Sequence, residues 1–324
     1  MRSAAIVATG RYLPVNEVAN TDLSWFPVDA LARIGEKTGV LARRAAADDQ
    51  CTSDLAFHAA NACLSKVGFP PAELEGIVVS TSSPDRVQPA TATRVQHLLG
   101  ASGAFAFDIN SVCSGSVYGI SLVDALIKSG RHDRILFVAA ELYTRILNKN
   151  DFSTFPYFGD GAGAILFEAG HNRGVLDSVL RTDGGGSEVI CVPAGGTMMP
   201  FEQITNPRSA YFRMDGKAVF AFAIAKGTEA IQELLARSRT TPDEVSLFIT
   251  HQANINIIYG IADALEVPRE RFFVNLDRYG NTASASVLIA LDEAIASRKV
   301  TQGDLVVTAA FGGGLSWGAN LIRL

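Results

Sequence analysis

The sequence predicts an α/β protein built from two related halves, and two observations lead to this prediction. Short apolar runs of strand length alternate with longer apolar segments of helical length along the 324 residues. Strands that are apolar throughout are buried on both faces, and in α/β folds helices provide that cover. Four of these segments also recur, in the same order, in the second part of the chain.

Three strands and one helix are predicted in the first half. The strands are Gly76–Ser80, Ala104–Ile109 and Arg134–Ala140. Between the last two, residues 114–129 are apolar on almost every side. A helix with this pattern belongs in a core rather than on a surface. Continuous apolar strands that alternate with helices favour a mostly parallel sheet.

The second half repeats these elements at a nearly constant distance. The counterparts are the strands 244–250, 271–275 and 304–310 and the helix 282–297. The offsets are 168 (76 to 244), 168 (113 to 281) and 170 (134 to 304) residues. We therefore predict two units of similar fold, residues 1–170 and 171–324, joined without a flexible linker.

The composition indicates a large core and excludes several classes of protein. The chain is 48% apolar and 19% charged, and its formal net charge is −5. This balance excludes disorder, and the lack of a basic excess argues against a nucleic-acid partner. No apolar run reaches the roughly 18 residues of a membrane span, so we expect no membrane association. Residues 1–14 lack the layout of a signal peptide.

The cysteine spacing indicates neither a disulfide framework nor a zinc site. The four cysteines are Cys51, Cys63, Cys113 and Cys191, and no CxxC pair occurs. Isolated cysteines are typical of a reducing compartment, so we expect a cytoplasmic protein. Because no metal-ligand spacing is present, metal catalysis has no support.

Cys113 differs from the other cysteines in its position. It falls between the strand that ends at Ile109 and the predicted buried helix, and Ser114 and Gly115 follow it. A lone cysteine on an apolar helix is most often a small buried hydrophobe. At a helix N-terminus, however, the partial positive charge lowers the pKa of a thiol and favours the thiolate. We therefore predict that Cys113 is a nucleophile and that the other three are structural.

His251 and Asn281 lie at corresponding ends of other strands. His251 directly follows an apolar strand, and Asn281 has the place in the second half that Cys113 has in the first. Sites in α/β sheets gather beyond the carboxyl ends of strands. His251 alone could be a core histidine, and Asn281 alone could be a helix cap. The equivalence of Asn281 with Cys113 predicts instead that the three side chains face a common centre.

Two glycine-rich segments match known motifs but lack the required context. Phe158–Ala164 fits the dinucleotide pattern, yet a strand rather than a helix follows it. Gly314–Gly318 fits the GxSxG elbow of hydrolases, yet none of the six residues after it is His, Asp or Glu. We interpret Phe311–Gly314 instead as a backbone loop that passes close to a substrate and has N–H groups free to donate.

Together these segments resemble the thiolase-fold condensing enzymes, specifically the β-ketoacyl-acyl carrier protein synthase III family. The resemblance covers essentially the whole chain. It rests on segments that match in order and spacing: Thr9–Gly10, Leu13–Pro14, Thr38–Gly39, 108–119, Phe158–Ala164, His251–Asn254, Gly280–Thr282, Phe311–Gly314 and Trp317–Gly318. It implies a five-layered αβαβα fold of two duplicated halves, and a homodimer with the loop 81–92 at the contact.

The resemblance also implies the chemistry. Cys113 attacks an acyl thioester and holds the acyl group covalently. The backbone N–H groups of Cys113 and Gly313 form an oxyanion hole, while His251 and Asn281 donate hydrogen bonds to the thioester oxygen of a malonyl unit. Decarboxylation and attack on the acyl-cysteine then give a β-ketoacyl product. Thioesters of coenzyme A or of a carrier protein serve as substrates, and no cofactor is implied.

Further substrate-binding residues are implied by the same resemblance. Ala253 and Asn254 line the pantetheine tunnel, and Phe311 packs against His251 and keeps the site dry. Lys37 takes the place of an arginine that, with a tryptophan, sandwiches the adenine of coenzyme A.

The chain departs from the family pattern where coenzyme A and the carrier protein are usually held. The tryptophan is Arg33, two customary arginines are Phe152 and Asn256, and other basic positions are Ala221, Asp263 and Ala264. A basic patch steers an acidic partner, so its loss leaves the use of an acyl carrier protein open. The segments Ser83–Asp85 and Cys113–Gly115 are similar to those of secondary-metabolism members.

Two alternatives to condensation remain open from the sequence. The first is an acyltransferase that moves the acyl group from Cys113 to an alcohol, an amine or another small acceptor without decarboxylation. The second is a non-catalytic partner subunit, against which the intact nucleophile and glycine loop argue. Retention of Asn281 favours condensation.

Overall fold

The computed structural model describes residues 2–324, and within them it contains thirteen strands and eight α-helices. The strands are β1 (Arg2–Tyr12), β2 (Asn16–Ala19), β3 (Ala42–Ala45), β4 (Gly76–Ser80), β5 (Phe105–Ile109), β6 (Arg134–Glu141), β7 (Gly161–His171), β8 (Gly174–Thr182), β9 (Ile190–Cys191), β10 (Arg213–Met214), β11 (Leu247–Thr250), β12 (Leu305–Gly312) and β13 (Ser316–Arg323). The helices are α1 (Val28–Thr38), α2 (Thr52–Lys66), α3 (Thr91–Leu99), α4 (Gly115–Lys128), α5 (Gly216–Ser238), α6 (Ile255–Ala264), α7 (Leu276–Tyr279) and α8 (Ala285–Ala296).

Two large sheets have the same strand order. One is β1-β7-β6-β4-β5 and the other, read in the matching direction, is β8-β13-β12-β11. In each sheet, the last of the parallel strands is followed by a strand that runs antiparallel to it: β7 pairs with β6 in this way, and β13 pairs with β12. The division into units 1–170 and 171–324 remains a prediction, which this common order supports.

The sheets are mixed rather than mostly parallel, so that prediction was wrong. The parallel pairs are β4 with β5, β4 with β6, and β11 with β12, whereas β1 and β7, β6 and β7, β12 and β13, and β13 and β8 pair antiparallel. A strand that is apolar throughout indicates that both of its faces are buried. It does not indicate whether the strand runs parallel or antiparallel to its neighbours. Antiparallel neighbours need no crossover helix, and the turn at 313–315 joins β12 directly to β13.

The predicted strand 271–275 is reduced to one parallel bridge between Phe272 and Phe248. A 3-10 helix after Pro268 occupies the backbone up to Arg271. At the other end, the N–H of Asn275 donates to the side chain of Gln252 at 3.0 Å instead of to a strand. These two local structures leave too little extended backbone for a full edge strand.

Helices α4 and α8 lie between the two sheets. One buried cluster joins residues of both helices to inward residues of both sheets, such as Val78 and Phe137 on one side and Ile249 and Val306 on the other. Helices α2 and α3 cover the outer face of the first sheet, and α1, α5 and α6 cover the outer face of the second. This stacking is the predicted five-layered αβαβα arrangement.

The buried helix α8 comes very close to strand β7. A Cβ atom on Gly163 would lie 2.5 Å from the Cβ of Leu288, so only glycine allows this contact. Among residues 2–324, no helix combines the length and the apolar character needed to cross a bilayer.

Candidate active site

Cys113 lies at the start of the central helix, as predicted. After β5, a 3-10 turn (Val112–Ser114) leads directly into α4. Val112 has a φ of 45°, in the left-handed region that a β-branched residue rarely adopts. Strain of this kind persists only where the surrounding structure imposes it, often at functional sites. Here it turns Cys113 toward a cavity of about 330 Å³, in which its side chain is 6% exposed.

The glycine loop after β12 passes over Cys113. A Cβ atom on Gly312 would lie 2.8 Å from the backbone nitrogen of Cys113 and 3.0 Å from its Cβ. Gly313 comes next and lies against the side chain of Val112. The absence of side chains at both positions lets the loop approach Cys113.

His251 is held by contacts on three sides. Its backbone N–H donates to the carbonyl of Ala309 at 2.8 Å, which fixes it beside β12. Its Nδ1 lies 2.7 Å from Ser286 Oγ on α8, and its ring meets the edge of Phe311 with centroids 5.6 Å apart. Burial lowers the pKa of His251 to about 3, so the imidazole is neutral at physiological pH.

Asn281 has one end of its amide engaged and the other available. The side-chain Oδ1 accepts a hydrogen bond from Ala283 N at 2.8 Å. Its backbone N–H donates to the carbonyl of Tyr157 at 2.8 Å, and its carbonyl accepts from the N–H of Gly159 at 3.0 Å. These two partners are the residues before and after Phe158. Asn281 Oδ1 therefore stabilises the turn before α8, whose N-cap is Ser284 rather than Asn281, and Nδ2 is left as a donor at the cavity.

The cavity brings together most of the residues predicted from the sequence. Cys113, His251, Asn281, Ala253, Asn254 and Phe311 all line it. Lys37 does not: it is exposed at the end of α1, and the following residue, Thr38, lines the cavity instead. At the loop, the lining residue is Gly312, with Gly313 just behind it.

The predicted low pKa of Cys113 was wrong for this state of the site. Burial raises the pKa of the Cys113 thiol, and the nearby charge of Glu141 raises it further. The helix N-terminus is present, but desolvation of the charged form outweighs it. Both effects favour the protonated thiol.

The other three cysteines lie outside the cavity, and a structural role for them remains a prediction. Cys63 is buried, and burial raises its pKa to about 12. All four cysteines are free.

A buried polar cluster behind Cys113 was missed by sequence reasoning. Its centre is Glu141, which ends strand β6 and accepts hydrogen bonds from Ser82, Ser83 and Ser284. Tyr143 adjoins this cluster, with its hydroxyl 3.0 Å from Ser82 Oγ, and it packs in one buried group with Cys113. A glutamate that ends an otherwise apolar strand was the available signal.

The apolar wall of the cavity was also missed. It consists of aromatic and aliphatic side chains from the segments around 157, 190, 212–220 and 257: Tyr157, Phe158, Ile190, Phe212, Met214, Val219, Phe220 and Ile257. Apolar residues in irregular segments have no periodicity that would mark them as a pocket lining.

Comparison with known proteins identifies the family. Residues 107–184 match 3-oxoacyl-[acyl-carrier-protein] synthase III, and residues 235–324 match its C-terminal domain. The chain is 38% identical over 322 residues to a β-ketoacyl-[acyl-carrier-protein] synthase III of Roseiflexus sp. (strain RS-1), covering 99% of this chain and 98% of that protein. It is 40% identical over 318 residues to the one of Xanthomonas campestris pv. campestris (strain 8004), covering 98% and 97%.

The chain belongs to the β-ketoacyl-acyl carrier protein synthase III family. A crystal structure of the 3-oxoacyl-[acyl-carrier-protein] synthase III from Aquifex aeolicus VF5 matches with a TM-score of 0.91 at 37% identity, over 99% of this chain and 100% of that one. The priming β-ketosynthase of the R1128 polyketide pathway matches with a TM-score of 0.91 at 31% identity, over 99% and 96%. The predictions of family, thiolase-like fold and an acyl-condensing transferase are confirmed, and the non-decarboxylating acyltransferase is not favoured.

The structure accounts for three departures from the synthase III pattern. Phe152 packs edge-on against Phe26, with centroids 5.2 Å apart, so this position is part of an aromatic cluster rather than a cation site. Asn256 Nδ2 donates to the carbonyl of Lys37 at 2.7 Å and ties α6 to α1. Asp263 pairs with Arg269 at 2.6 Å.

Proposed function

We propose that Cys113 carries the acyl group in a decarboxylative condensation with a malonyl thioester. The observation that supports this most is the convergence of Cys113, His251 and Asn281 on one largely apolar cavity. A thiol nucleophile, a neutral imidazole and a free amide donor are what acylation followed by enolate formation requires.

Acylation begins with attack of the Cys113 sulfur on an acyl thioester. The tetrahedral intermediate carries its negative charge on oxygen, and backbone N–H groups stabilise such an oxyanion. The loop contact between Gly312 and Cys113 N places the next residue, Gly313, beside the same turn. We assign the oxyanion hole to the N–H groups of Cys113 and Gly313.

Decarboxylation of the malonyl unit then develops charge on its thioester oxygen. Ser286 Oγ lies 2.7 Å from His251 Nδ1 and accepts from Gln252 N at 3.4 Å, and we assign the Ser286 proton to the bond with Nδ1. The ring proton then lies on Nε2, which becomes a donor to the enolate together with Asn281 Nδ2. Both donors are held before the charge appears, so they stabilise the transition state more than the ground state.

The substrates are thioesters on a pantetheine arm, carried by coenzyme A or by an acyl carrier protein. Ala253 and Asn254 lie in the cavity wall, and Asn254 also caps α6 through Asn256 N at 2.8 Å. The relatives are named for acyl carrier protein. No cofactor takes part in this scheme, and the free cysteines are in keeping with a cytoplasmic location.

We further propose a homodimer. Strand β5 ends its sheet, and all five of its residues are half-buried in the single chain. An open edge of this kind pairs readily with another strand. The neighbouring loop 81–92 carries Val87, which is 82% exposed. Sedimentation of the protein as a monomer at the concentration used for activity would contradict this proposal.

Intact-protein mass spectrometry with a panel of acyl-coenzyme A thioesters tests the nucleophile. We expect the mass of the wild type to rise by one acyl group, and that of Cys113→Ala to stay unchanged. Cys63→Ala, a buried cysteine away from the cavity, should acylate like the wild type. Acylation of Cys113→Ala would overturn the assignment.

A further inference from the structure

A buried carboxylate of the first sheet holds the segment that carries Asn281. Glu141 ends strand β6, and its Oε1 accepts a hydrogen bond from Ser284 Oγ at 2.7 Å. Ser284 lies three residues after Asn281 and directly before α8. Both Glu141 and Ser284 are completely buried. The bond therefore fixes the start of α8 to the middle strand of the other sheet.

The carboxylate of Glu141 is itself held in place on its other side. Its Oε2 accepts from Ser83 Oγ at 2.6 Å and from Ser82 N at 3.1 Å. Ser83 Oγ in turn accepts from Leu142 N at 2.9 Å, so the proton of Ser83 is left for Glu141. Because Leu142 directly follows Glu141, these bonds close a ring around the carboxylate and allow it little movement.

The segment that Glu141 holds has a strained backbone. Ala283 has a φ of 44°, in the left-handed region that a residue with a side chain rarely adopts. Its N–H donates to Asn281 Oδ1 at 2.8 Å, so the amide of Asn281 is oriented by this strained residue. Strain of this kind persists only where the surrounding structure imposes it. The bond from Ser284 to Glu141 acts on the residue directly after the strained position.

The equivalent position in the first half lacks such a bond. Ser116 lies three residues after Cys113, and Ser284 follows it at the same distance of 168 residues that separates Asn281 from Cys113. Ser116 is as deeply buried as Ser284. In the part of the chain that the structure describes, its hydroxyl has no hydrogen-bond partner. Of the two helix starts, Glu141 therefore holds only the one beside Asn281.

We infer that Glu141, acting through Ser284, is a positioning residue that keeps the Nδ2 donor of Asn281 directed at the cavity. Asn281 lines the cavity, whereas Glu141 and Ser284 lie behind it. A donor to a developing enolate stabilises the transition state only if it is in place before the charge appears. This inference rests on the proposed function, because it requires Asn281 to act in decarboxylation.

Ser284→Ala is the most direct test because it removes only the hydroxyl and leaves Glu141 bonded to Ser82 and Ser83. We expect carbon dioxide release from a malonyl thioester to slow about tenfold or more, since small displacements of a catalytic group reduce the rate steeply. The loss should appear in kcat with KM for the malonyl thioester unchanged, because the donor acts on charge that develops in the transition state. Acyl-enzyme formation, followed by rapid-quench mass spectrometry, should match the wild type.

Ser116→Ala is the matched control. It makes the same chemical change at the equivalent buried position, where no hydrogen bond is lost. Both half-reactions of this variant should proceed at the wild-type rate.

Two further variants separate positioning from a general effect on the fold. In an Asn281→Ala background, Ser284→Ala should cause no further loss of carbon dioxide release, because its effect passes through the missing amide. Glu141→Gln replaces one acceptor oxygen with an amino group that can only donate. We expect it to slow the same half-reaction as Ser284→Ala and to spare acylation.

Three results would overturn the inference while leaving the proposed function intact. They are carbon dioxide release by Ser284→Ala at the wild-type rate, an equal loss in both half-reactions, and a full additional loss in the Asn281→Ala background. Carbon dioxide release at the wild-type rate by Asn281→Ala alone would instead refute the proposed role of Asn281, and the positioning role of Glu141 with it.

Discussion

Ser286 Oγ lies 2.7 Å from His251 Nδ1, and both groups are buried beside the cavity. The pair connects the central helix α8 to the end of β11. It orients the imidazole, and in the proposed mechanism Ser286 donates its proton to Nδ1, which leaves the ring proton on Nε2. In that mechanism this serine therefore makes Nε2 the ring nitrogen that donates to the enolate.

Replacing Ser286 should therefore slow decarboxylation and spare acylation. In Ser286→Ala we expect carbon dioxide release from a malonyl thioester to fall about tenfold, the rate equivalent of a hydrogen bond worth about 1.4 kcal/mol. Acyl-enzyme formation, followed by intact mass, should proceed as in the wild type. Equal loss in both half-reactions would mean that Ser286 acts on the fold and not on the imidazole.

Phe212→Ala should widen the range of acyl donors. Phe212 meets both Tyr143 and Phe158 edge-on, with centroids 5.4 and 5.1 Å apart, and these rings pack in one cluster with Cys113. Its removal leaves space next to Cys113, at a cost to stability of about 3–5 kcal/mol. When a short and a long acyl-coenzyme A donor compete, the ratio of the two acyl-enzymes, measured by intact mass, should shift toward the longer acyl group. An unchanged ratio would show that this cluster does not limit acyl length.

Gly163→Ala should destabilise the contact between β7 and α8. The added methyl group would lie 2.5 Å from Leu288 Cβ, and overpacking of this kind costs about 1–3 kcal/mol. Gly103→Ala is the matched control because a methyl group there would have no atom within 4 Å beyond its immediate chain neighbours. In urea unfolding, we expect a lower midpoint for Gly163→Ala than for Gly103→Ala. Equal midpoints would contradict the close packing of α8 against β7.

Stability should fall as the pH drops below the unfolded pKa of His251. Its folded pKa is about 3, whereas that of an unfolded histidine is about 6.5. Between these values the unfolded chain binds a proton that the native state excludes, so the free energy of unfolding rises with pH. The contribution is fully present above about pH 6.5 and declines by about 1.4 kcal/mol per unit toward pH 3.

Comparison of the wild type with His251→Gln isolates that contribution. We expect the gap between the two unfolding free energies to change with the stated slope over the mildly acidic range. Parallel pH profiles would show that His251 is not buried as a neutral ring.

The layers of the fold could be predicted because burial leaves a direct mark on sequence. Val78 faces the central helices while Ile77 and Val79 face α2 and α3, so all three positions are apolar. Strand direction leaves no such mark, which is why the sheets were expected to be mostly parallel. Residues 271–275 are equally apolar but do not form the predicted strand. A 3-10 helix follows Pro268 at one end, and at the other the Asn275 N–H donates to the side chain of Gln252.

Within the site, position along the chain predicted the three chemical residues but not their electrostatics. Cys113, His251 and Asn281 each follow a strand or precede a buried helix, and those places converge. The pKa of Cys113 depends instead on Glu141 and on burial by Tyr143 and its neighbours. These contacts come from strands that only the folded sheet brings side by side. Thr38 rather than Lys37 lines the cavity, and a role of Lys37 in substrate binding remains a prediction.

The most direct test of the central claim is the discharge of a preformed acyl-enzyme by a malonyl thioester. Asn281→Asp keeps the turn-forming Oδ1 that accepts from Ala283 N but places negative charge where the enolate develops. We predict that Asn281→Asp acylates normally and then retains its acyl mass, while the wild type loses it with release of carbon dioxide. The expected loss of rate is about 100-fold or more. Discharge of Asn281→Asp at the wild-type rate would contradict the account.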